Sequence, residues 1–404
     1  MSLLALAGQN TAQSTTRRIV IGHFDAHGVV TSAVLCRRIQ CSNIIARFPD
    51  TGPQRFAAFA KTIDVYGAEI HIVDIPINVA TPKEHIDAIA LLAQQALSVT
   101  LWDHHESNLR YINELPPSVN VRFFSSATEM ALAILGGDTG SDNATLAFVG
   151  VVADRDPTIL KVVDRETVER KLLPLANALD VLVRRDAQQT ANNLVGGGLT
   201  WLATQATSID YQPYRLVSNL QVQRRGASTV LVAPTTVDFA RSVGLEAWLP
   251  KTLEQLLLRE GRDYAVIATE QEDRRTGERF WAVRVLKYWL SERPAPTELL
   301  KGLPALQGRQ IVGHADYISI RAIDRQDAER LAVIVFEQLE APISQAAHLI
   351  NEPVVAQAIQ ADYSKILQLL ERIAKALEQG AQAKEKQVEL LQQLYERDER
   401  TRYD

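Results

Sequence analysis

The stretch RRIVIGHFDAHGVVTSAVLCRRI, residues 17–39, decides the fold class of this 404-residue chain. Its first six residues, 17–22, have an apolar centre and predict a short β-strand. The apolar residues from Val29 to Ile39 predict a helix, and a polar loop with two histidines lies between the two elements. A strand that leads through a loop into a helix is the repeating unit of a parallel α/β sheet.

Two further strands are predicted downstream, over Ala68–Asp74 and Ser98–Trp102. Helices are predicted over Pro82–Ala96 and Ala127–Leu135, so that strands and helices alternate along the chain. This alternation favours a parallel, doubly wound sheet. In such sheets ligands bind beyond the carboxyl ends of the strands.

Potential metal ligands follow all three predicted strands. They are His23, Asp25 and His27 after the first strand, Asp74 at the end of the second, and Asp103, His104 and His105 after the third. Imidazole and carboxylate groups at the ends of neighbouring strands converge on one volume, which predicts a site for a first-row divalent metal. The helix that begins near Gly28 turns its N-terminal amides to the same volume, and these favour a phosphate group.

Each of these residues has an ordinary structural alternative when it is taken alone. A histidine in a loop is more often a hydrogen-bonded surface residue, Asp74 is also a turn or N-cap residue ahead of Pro76, and Asp103 also suits a turn. The coincidence at three strand ends is what favours the metal site. His71, His85 and His348 lie outside this pattern and are interpreted as structural or incidental.

A fourth candidate is VVADRD, residues 151–156, in which an apolar run ends in acidic residues. Asp154 directly follows the run and is the natural ligand, although Asp156 stays open as the alternative. Arg155 is a candidate substrate-binding residue. The alternative for Arg155 is a surface ion pair with Asp156.

The order of these four motifs resembles the DHH phosphoesterase superfamily, over about residues 17–160. Its members include RecJ-like single-strand exonucleases, oligoribonucleases, cyclic-dinucleotide phosphodiesterases and family II pyrophosphatases. A weaker likeness covers IVGHA, residues 311–315, which is similar to the glycine-rich, histidine-containing loop of the domain that holds substrate in this family. The resemblance implies an α/β fold with a second, smaller α/β domain.

The resemblance also implies two divalent ions, usually manganese, with magnesium, cobalt or iron as alternatives. Matched by position, the ligands of the first ion are His23, Asp25 and Asp74, and those of the second are His27, Asp74, His104 and Asp154. Asp103 would orient a ligand from behind, and His105 would contact the scissile phosphate. Gly313 and His314 would contact the substrate.

Two positions depart from the family pattern. The family usually has aspartate where this chain has His27, so only Asp25, Asp74 and Asp154 face four positive charges from two ions. Imidazole also ligates metals, so the site need not be lost but is less anionic. In the second departure, Gly313 alone precedes His314, where the family often has several glycines.

Five parts are predicted along the chain: a loose N-terminus at 1–16, a DHH domain at 17–162, a helical connector at 163–227, a substrate-binding α/β domain at 228–345 and a helical tail at 346–404. In the second α/β domain, a hairpin is predicted from Tyr264–Thr269 and Phe280–Leu286, with a later strand and helix at 316–322 and 328–339. The tail has a heptad spacing at Ile359, Tyr363, Ile366, Leu370, Ile373 and Leu377. This spacing favours either a coiled coil that joins two subunits as a homodimer or an amphipathic helix packed on its own chain.

Composition narrows the class of protein. The chain has 43 Lys and Arg against 48 Asp and Glu, a net charge of −5, which argues against a uniformly basic nucleic-acid binder. Its apolar runs are shorter than the roughly 20 residues of a membrane helix, so no membrane partner is expected. Two cysteines, Cys36 and Cys41, cannot form a disulfide framework, and we expect a reducing compartment, the cytoplasm.

The leading interpretation is a divalent-metal phosphodiesterase that acts on short single-stranded oligonucleotides or dinucleotides. One alternative is a weakened or inactive DHH-type protein that serves as a nucleic-acid or protein-binding scaffold. The other is a pyrophosphatase-like hydrolase. The arginine pairs at 184–185, 224–225 and 274–275 are either phosphate contacts or solvated surface.

Overall fold

A computed structural model of the chain describes residues 16–48, 56, 58–77, 82–273, 276–314 and 316–341. The predicted loose N-terminus up to residue 15, the predicted helical tail, His348 and the arginine pair at 274–275 lie outside the described residues, and so does the side chain of His314.

The first sheet is formed by five parallel strands within the described ranges, in the order β2-β1-β3-β4-β5. Its strands are β1 Arg18–His23, β2 Asn43–Phe48, β3 Glu69–Val73, β4 Ser98–Asp103 and β5 Val119–Phe123. The central strands β1, β3 and β4 are the three predicted from the sequence. Strands β2 and β5 lie at the two edges and were not predicted.

Helices cover this sheet and lead away from it. They are α1 Ala26–Ile39, α2 Pro82–Gln95, α3 Ala127–Leu135, α4 Asp142–Ala153, α5 Arg165–Thr167 and α6 Leu173–Ala206. Short 3₁₀ segments span Glu106–Glu114 and Pro157–Lys161, and a π-helical turn spans Val168–Leu172. Helix α6 is kinked inside its range, because the backbone angles of Asp186 and of Gly198, the last residue of the glycine run at 196–198, are not helical.

The second sheet has the strand order β10-β11-β9-β8-β7-β6, and it is mixed because β7 pairs with β8 in parallel while the other pairs are antiparallel. Its strands are β6 Val222–Arg225, β7 Thr229–Thr235, β8 Tyr264–Glu272, β9 Arg279–Lys287, β10 Ile311–His314 and β11 Tyr317–Arg321. Its helices are α7 Gln212–Leu216, α8 Val237–Ser242, α9 Leu249–Glu260, α10 Pro296–Leu299 and α11 Arg325–Glu340, with 3₁₀ turns at Val217–Asn219 and Pro304–Leu306. The hairpin β8–β9 and the helix α11 agree with the sequence prediction.

Alternate residues of β1 serve two different cores, as the two-residue period of a strand requires. Ile19 and Ile21 pack with α2 on one face of the first sheet, while Val20 packs with α1 and α4 on the other. That second core continues through α6 and α9 to one face of the second sheet, where Val232 and Ile267 are buried. One apolar core therefore connects the two sheets.

The apolar run that ends before Asp154 is the end of helix α4. Ser141 caps this helix by accepting a hydrogen bond from the amide of Ala144. Most of α4 is buried, and a short apolar run does not distinguish a buried helix from a buried strand. Asp154 therefore approaches the first sheet from the end of a helix.

The two cysteines form a disulfide, Cys36–Cys41, with their Cα atoms 4.8 Å apart. Helix α1 ends at Gln40 in the left-handed conformation, and this turn brings Cys41 back beside Cys36. A single local bridge is not a framework of several bridges, but it disagrees with the reducing compartment inferred from composition. Within the described ranges, no helix combines the length and the apolar character needed to cross a membrane.

Candidate metal centre

The first histidine motif turns from β1 into α1. Asp25 is the N-cap of α1, where its Oδ1 accepts a hydrogen bond from the amide of Gly28 at 2.8 Å. Its Oδ2 lies 2.9 Å from Nδ1 of His23, the last residue of β1. His27 lies in the first turn of the helix and is buried. Alternate residues of this motif thus face one volume at the end of the sheet.

Asp74 lies directly after β3 in a left-handed backbone conformation, with φ of 60°. This conformation is uncommon outside glycine, and strain of this kind is concentrated at functional sites. A Cβ atom added to Gly28 would lie 2.6 Å from Cβ of His23 and 3.0 Å from Oδ2 of Asp74. Glycine at position 28 therefore lets the start of α1 approach the Asp74 carboxylate.

Three histidines surround the buried Asp74 carboxylate. Nδ1 of His27 is hydrogen-bonded to Oδ2 at 3.0 Å, whereas Nε2 of His104 and Nδ1 of His105 lie 3.1 and 3.8 Å from Oδ1. The rings of His27 and His104 meet edge to face with their centroids 5.0 Å apart. Asp74 is the shared centre of the histidine cluster.

Asp103 holds His105, with 2.7 Å between Oδ1 of the aspartate and Nδ1 of the histidine. The other oxygen of Asp103 accepts a hydrogen bond from Nδ2 of Asn108 at 2.5 Å. Asn108 is itself fixed because its Oδ1 accepts from the amide of Ile77 at 2.7 Å. Asn108 was not predicted from the sequence, and no local motif identifies it.

The two acidic residues after α4 have different surroundings. Oδ2 of Asp154 lies 3.7 Å from Nε2 of His104, so Asp154 reaches the histidine cluster. Asp156 instead accepts hydrogen bonds from the amide and hydroxyl of Thr128 and from Thr158. Of these two aspartates, Asp154 is therefore the one whose side chain lies beside the predicted ligands.

Four buried ligand atoms of this cluster lack a hydrogen-bond partner within the part of the chain that the structure describes. They are Nδ1 of His23, Nε2 of His27, Oδ1 of Asp74 and Nε2 of His104. Nδ1 of His23 lies 2.9 Å from Oδ2 of Asp25, and Nε2 of His104 lies 3.1 Å from Oδ1 of Asp74, but neither contact is aligned as a hydrogen bond. Buried polar atoms are normally paired, so such a set fits a cation better than it fits a closed hydrogen-bond network.

The ligand atoms of His27, Asp74 and His104 lie within 4.8 Å of one another, and the same holds for His23, Asp25 and Asp74. A third group of this size is formed by Asp74, Asp103 and His105. Imidazole nitrogen with carboxylate oxygen is a donor set that suits first-row divalent ions. The groups share Asp74, so the residues fit two neighbouring ions as well as one.

The carboxylates hold protons on His27 and His105 in the metal-free chain. Burial favours neutral His27, but the negative charges of Asp74 and Asp154 outweigh it and raise the pKa of His27 to about 10. Burial acts likewise on His105, whose hydrogen bond to Asp103 and attraction to Asp74 raise its pKa to about 9. Burial opposes ionisation of Asp74, but the His27 charge holds the pKa of this carboxyl well below its ordinary value.

We expect the metal-free chain to be most stable between pH 3.8 and 6.5, the unfolded-state pKa values of Asp74 and His27. The raised pKa of His27 contributes stability that is complete below pH 6.5 and is lost as the pH rises to about 10. The lowered pKa of Asp74 contributes stability that is lost as the pH falls below 3.8. Thermal unfolding of chelator-treated protein across this range tests the prediction, and a midpoint that is constant up to about pH 10 contradicts it.

The structure places Arg155 away from the substrate role predicted for it. Its guanidinium is buried and donates to Glu254, to the carbonyl of Val152 and to Oδ1 of Asn177. These contacts engage Nε and both terminal nitrogens, and the alternative surface pair with Asp156 is not what the structure describes. Arg155 is a structural anchor.

Gly313 lies in β10 at the outer edge of the second sheet, with φ of 141°. A Cβ atom added there would overlap the carbonyl oxygen of Tyr317, so the approach of β10 to β11 explains this glycine. Its predicted contact with substrate stays a prediction, as does that of His314. Among the described arginine pairs, Arg224 and Arg225 form ion pairs with Glu337 and Glu260, which favours solvated surface there.

No family model and no curated protein matches the chain. Solved structures do match it. RecJ from Thermus thermophilus, in complex with Mn²⁺, is 16% identical with a TM-score of 0.42, and the match covers 81% of this chain. This chain spans about half of that RecJ, 52% of its length.

A second match is the pGpG-specific phosphodiesterase PggH from Vibrio cholerae, at 14% identity and a TM-score of 0.45, covering 81% of this chain and 99% of that one. A third is the DHH domain of a member of the s1p family of ribosomal proteins, at 11% identity and a TM-score of 0.43, covering 81% and 87%. These TM-scores are below 0.5, so the likenesses carry no argument about what this chain binds or hydrolyses.

The fold that the motifs imply is present in the chain itself. A parallel, helix-covered sheet carries the histidine motifs, and a second, mixed sheet follows it. These two α/β units agree in fold class with what the motif resemblance to the DHH phosphoesterase superfamily implies.

Proposed function

We propose that the chain is a divalent-metal phosphodiesterase that hydrolyses short single-stranded oligonucleotides or linear dinucleotides. The observation that carries this proposal is the cluster around Asp74, in which imidazole and carboxylate ligand atoms converge and four buried ones form no hydrogen bond of good geometry. Residues 17–162 would hold the metal ions, and residues 228–345 would hold the substrate. Manganese is the proposed metal.

The proposed ligands divide around Asp74. His23 and Asp25 would complete one ion site, and the residues that complete the other are His27, His104 and Asp154. A divalent ion bound at such a site lowers the pKa of water and neutralises charge that develops on a phosphoryl group. The rest of the chemistry falls to the surrounding side chains and to α1.

His105 is the proposed donor to a non-bridging phosphate oxygen. Its pKa of about 9 keeps it protonated at neutral pH in the metal-free chain, and its hydrogen bond to Asp103 fixes the ring. Asn108 keeps Asp103 in place from the opposite side. The N-terminus of α1 adds the positive end of a helix dipole beside the same volume, which favours a phosphate there.

A substrate panel tests the proposal. It contains a 5′-labelled short RNA, a short single-stranded DNA, linear diguanylate and diadenylate, bis-p-nitrophenyl phosphate and pyrophosphate, each with added Mn²⁺ and with mass-spectrometric product analysis. We expect phosphodiester cleavage and little release from pyrophosphate. Absence of both bound metal and turnover with any common divalent ion contradicts the proposal.

The variant His104→Ala is expected to abolish turnover while the fold is retained, because it removes an imidazole that lies 3.1 Å from Asp74 and 3.7 Å from Asp154. Initial rates with the best substrate of the panel and circular dichroism measure the two effects. His71→Gln is the matched control, since His71 accepts a hydrogen bond from Trp102 at the side of the sheet and is not among the proposed ligands. Equal losses in the two variants would argue against a role of His104 in the metal centre.

A binding scaffold without catalysis is the second candidate, and one observation favours it. His27 is fully buried against Asp74, and its raised pKa keeps this pair charged and matched without any metal. Retention of nucleic-acid binding without metal and without turnover would support the scaffold.

A cytoplasmic location stays part of the main proposal, and the Cys36–Cys41 disulfide counts against it.

A further inference from the structure

Arg155 directly follows the proposed ligand Asp154, and its backbone has φ of 61°. A left-handed conformation is unfavourable for a residue with a long side chain, so contacts elsewhere must maintain it. Asp154 precedes it as the last residue of the α4 turn. Asp154 itself has helical backbone angles, so the strained residue is the one that directly follows this proposed ligand.

The side chain of Arg155 supplies those contacts. Its Nη1 donates to the carbonyl of Val152 at 2.7 Å, which closes the turn on the end of α4. Its Nη2 donates to Oδ1 of the fully buried Asn177 in α6 at 3.1 Å. The guanidinium thus links the turn to helices α4 and α6.

The third contact of the Arg155 side chain is with helix α9, which follows β7 of the second sheet. Nε of Arg155 lies 3.0 Å from Oε1 and 3.1 Å from Oε2 of Glu254, a residue of α9 that is 8% exposed. Helix α9 packs against the second sheet within the core that connects both sheets. A buried guanidinium requires such a counter-charge, so the strained turn depends on a carboxylate from α9.

We infer that Glu254 is a positioning residue for the metal centre, which anchors Arg155 and through it aims the Asp154 carboxylate at His104. This inference rests on the proposed function for its metal, but the coupling from Glu254 to the turn is a property of the chain itself. Through this contact, a residue of the helix that packs against the second sheet helps to position Asp154, a proposed ligand of the second ion.

Two measurements on the full-length protein test the inference. The first is Mn²⁺ titration by calorimetry and electron paramagnetic resonance for wild type, Glu254→Gln and Arg155→Gly. The second is hydrogen exchange at the amides of Asp154, Arg155 and Asp156, which donate to carbonyls of α4. Arg155→Gly removes the anchor while glycine accepts the left-handed backbone, so this variant guards against a failure of Glu254→Gln to fold.

Asp327→Asn is the matched control. Asp327 of α11 forms a two-pronged ion pair with Arg309, which lies just before β10, at 2.6 and 2.9 Å, and it has no described contact with the turn. Its loss lowers stability as the loss of the Glu254 pair does, but it is not expected to change metal affinity or exchange at the turn.

In both test variants we expect one class of Mn²⁺ site to weaken by about tenfold or more, the other class to be unchanged, and exchange at the turn to be faster. Unchanged affinity and exchange, or equal changes in Asp327→Asn, overturn the inference. If wild type binds no Mn²⁺, the proposed function fails, and exchange decides alone. Faster exchange only in the test variants then supports the positioning of the turn, and unchanged exchange overturns it.

Discussion

Asp74→Asn is expected to reduce Mn²⁺ binding below detection and to lower phosphodiester hydrolysis at least about 100-fold, comparable to the loss of a key electrostatic group. Asp74 is the one residue shared by all three candidate ligand groups among the described residues, so its loss affects both proposed ions. The asparagine keeps the size of the side chain. Without the carboxylate, the pKa of His27 falls, because the effect of burial is then opposed only by the charges of Asp154 and Asp25.

Calorimetric Mn²⁺ titration and initial rates measure the effects of Asp74→Asn, with circular dichroism to confirm the fold. Asp87→Asn is the matched control, since Asp87 is an exposed carboxylate of α2 that pairs with Lys83. A variant at position 74 that keeps metal affinity and rate would remove Asp74 from the centre of the site.

His27→Asp is expected to act in opposite directions with and without metal. In the metal-free chain it replaces an attractive pair by two carboxylates about 3 Å apart inside the protein, which lowers the unfolding temperature. With Mn²⁺ the added negative charge is matched, and we expect binding at the second site to tighten by about tenfold, or about 1.4 kcal/mol.

A lower unfolding temperature without metal, combined with tighter Mn²⁺ binding, distinguishes a metal ligand from a histidine that only packs in the core. Unfolding temperatures with chelator and with Mn²⁺, together with the Mn²⁺ dissociation constants, measure it. His71→Asp provides a comparison on the neighbouring strand β3, where a loss of stability is expected but no change in metal affinity. An unchanged Mn²⁺ affinity in His27→Asp would count against our assignment of His27 as a ligand.

Central strands and their motifs were readable from the sequence because local signals determine them. The apolar centre of residues 18–23 and the polar loop after it specify β1 and the start of α1 with little help from the rest of the chain. The convergence of the histidine motifs followed from the parallel sheet, since the carboxyl ends of such strands meet at one edge. Strand β5, with the alternating pattern VNVRF, was not predicted, because its polar half makes the signal of an edge strand weak.

Long-range partners could not be read from a single sequence. Asp154 and Asp156 are chemically alike, and only the fold shows that the distant Thr128 donates to the second of them. Arg155 resembled a phosphate contact because its partner Glu254 lies 99 positions away. The glycine at 313 resembled a substrate loop, whereas a neighbouring strand accounts for it.

The strand order of the first sheet determines which strands near the proposed site unfold last. The strands that carry the histidine motifs, β1, β3 and β4, are each hydrogen-bonded on both sides, while β2 and β5 take the exposed edges. Local opening of a sheet starts at its edges and spares the centre until the whole domain unfolds. Fraying of β2 or β5 is therefore expected to leave in place the three strands that lead into the histidine motifs.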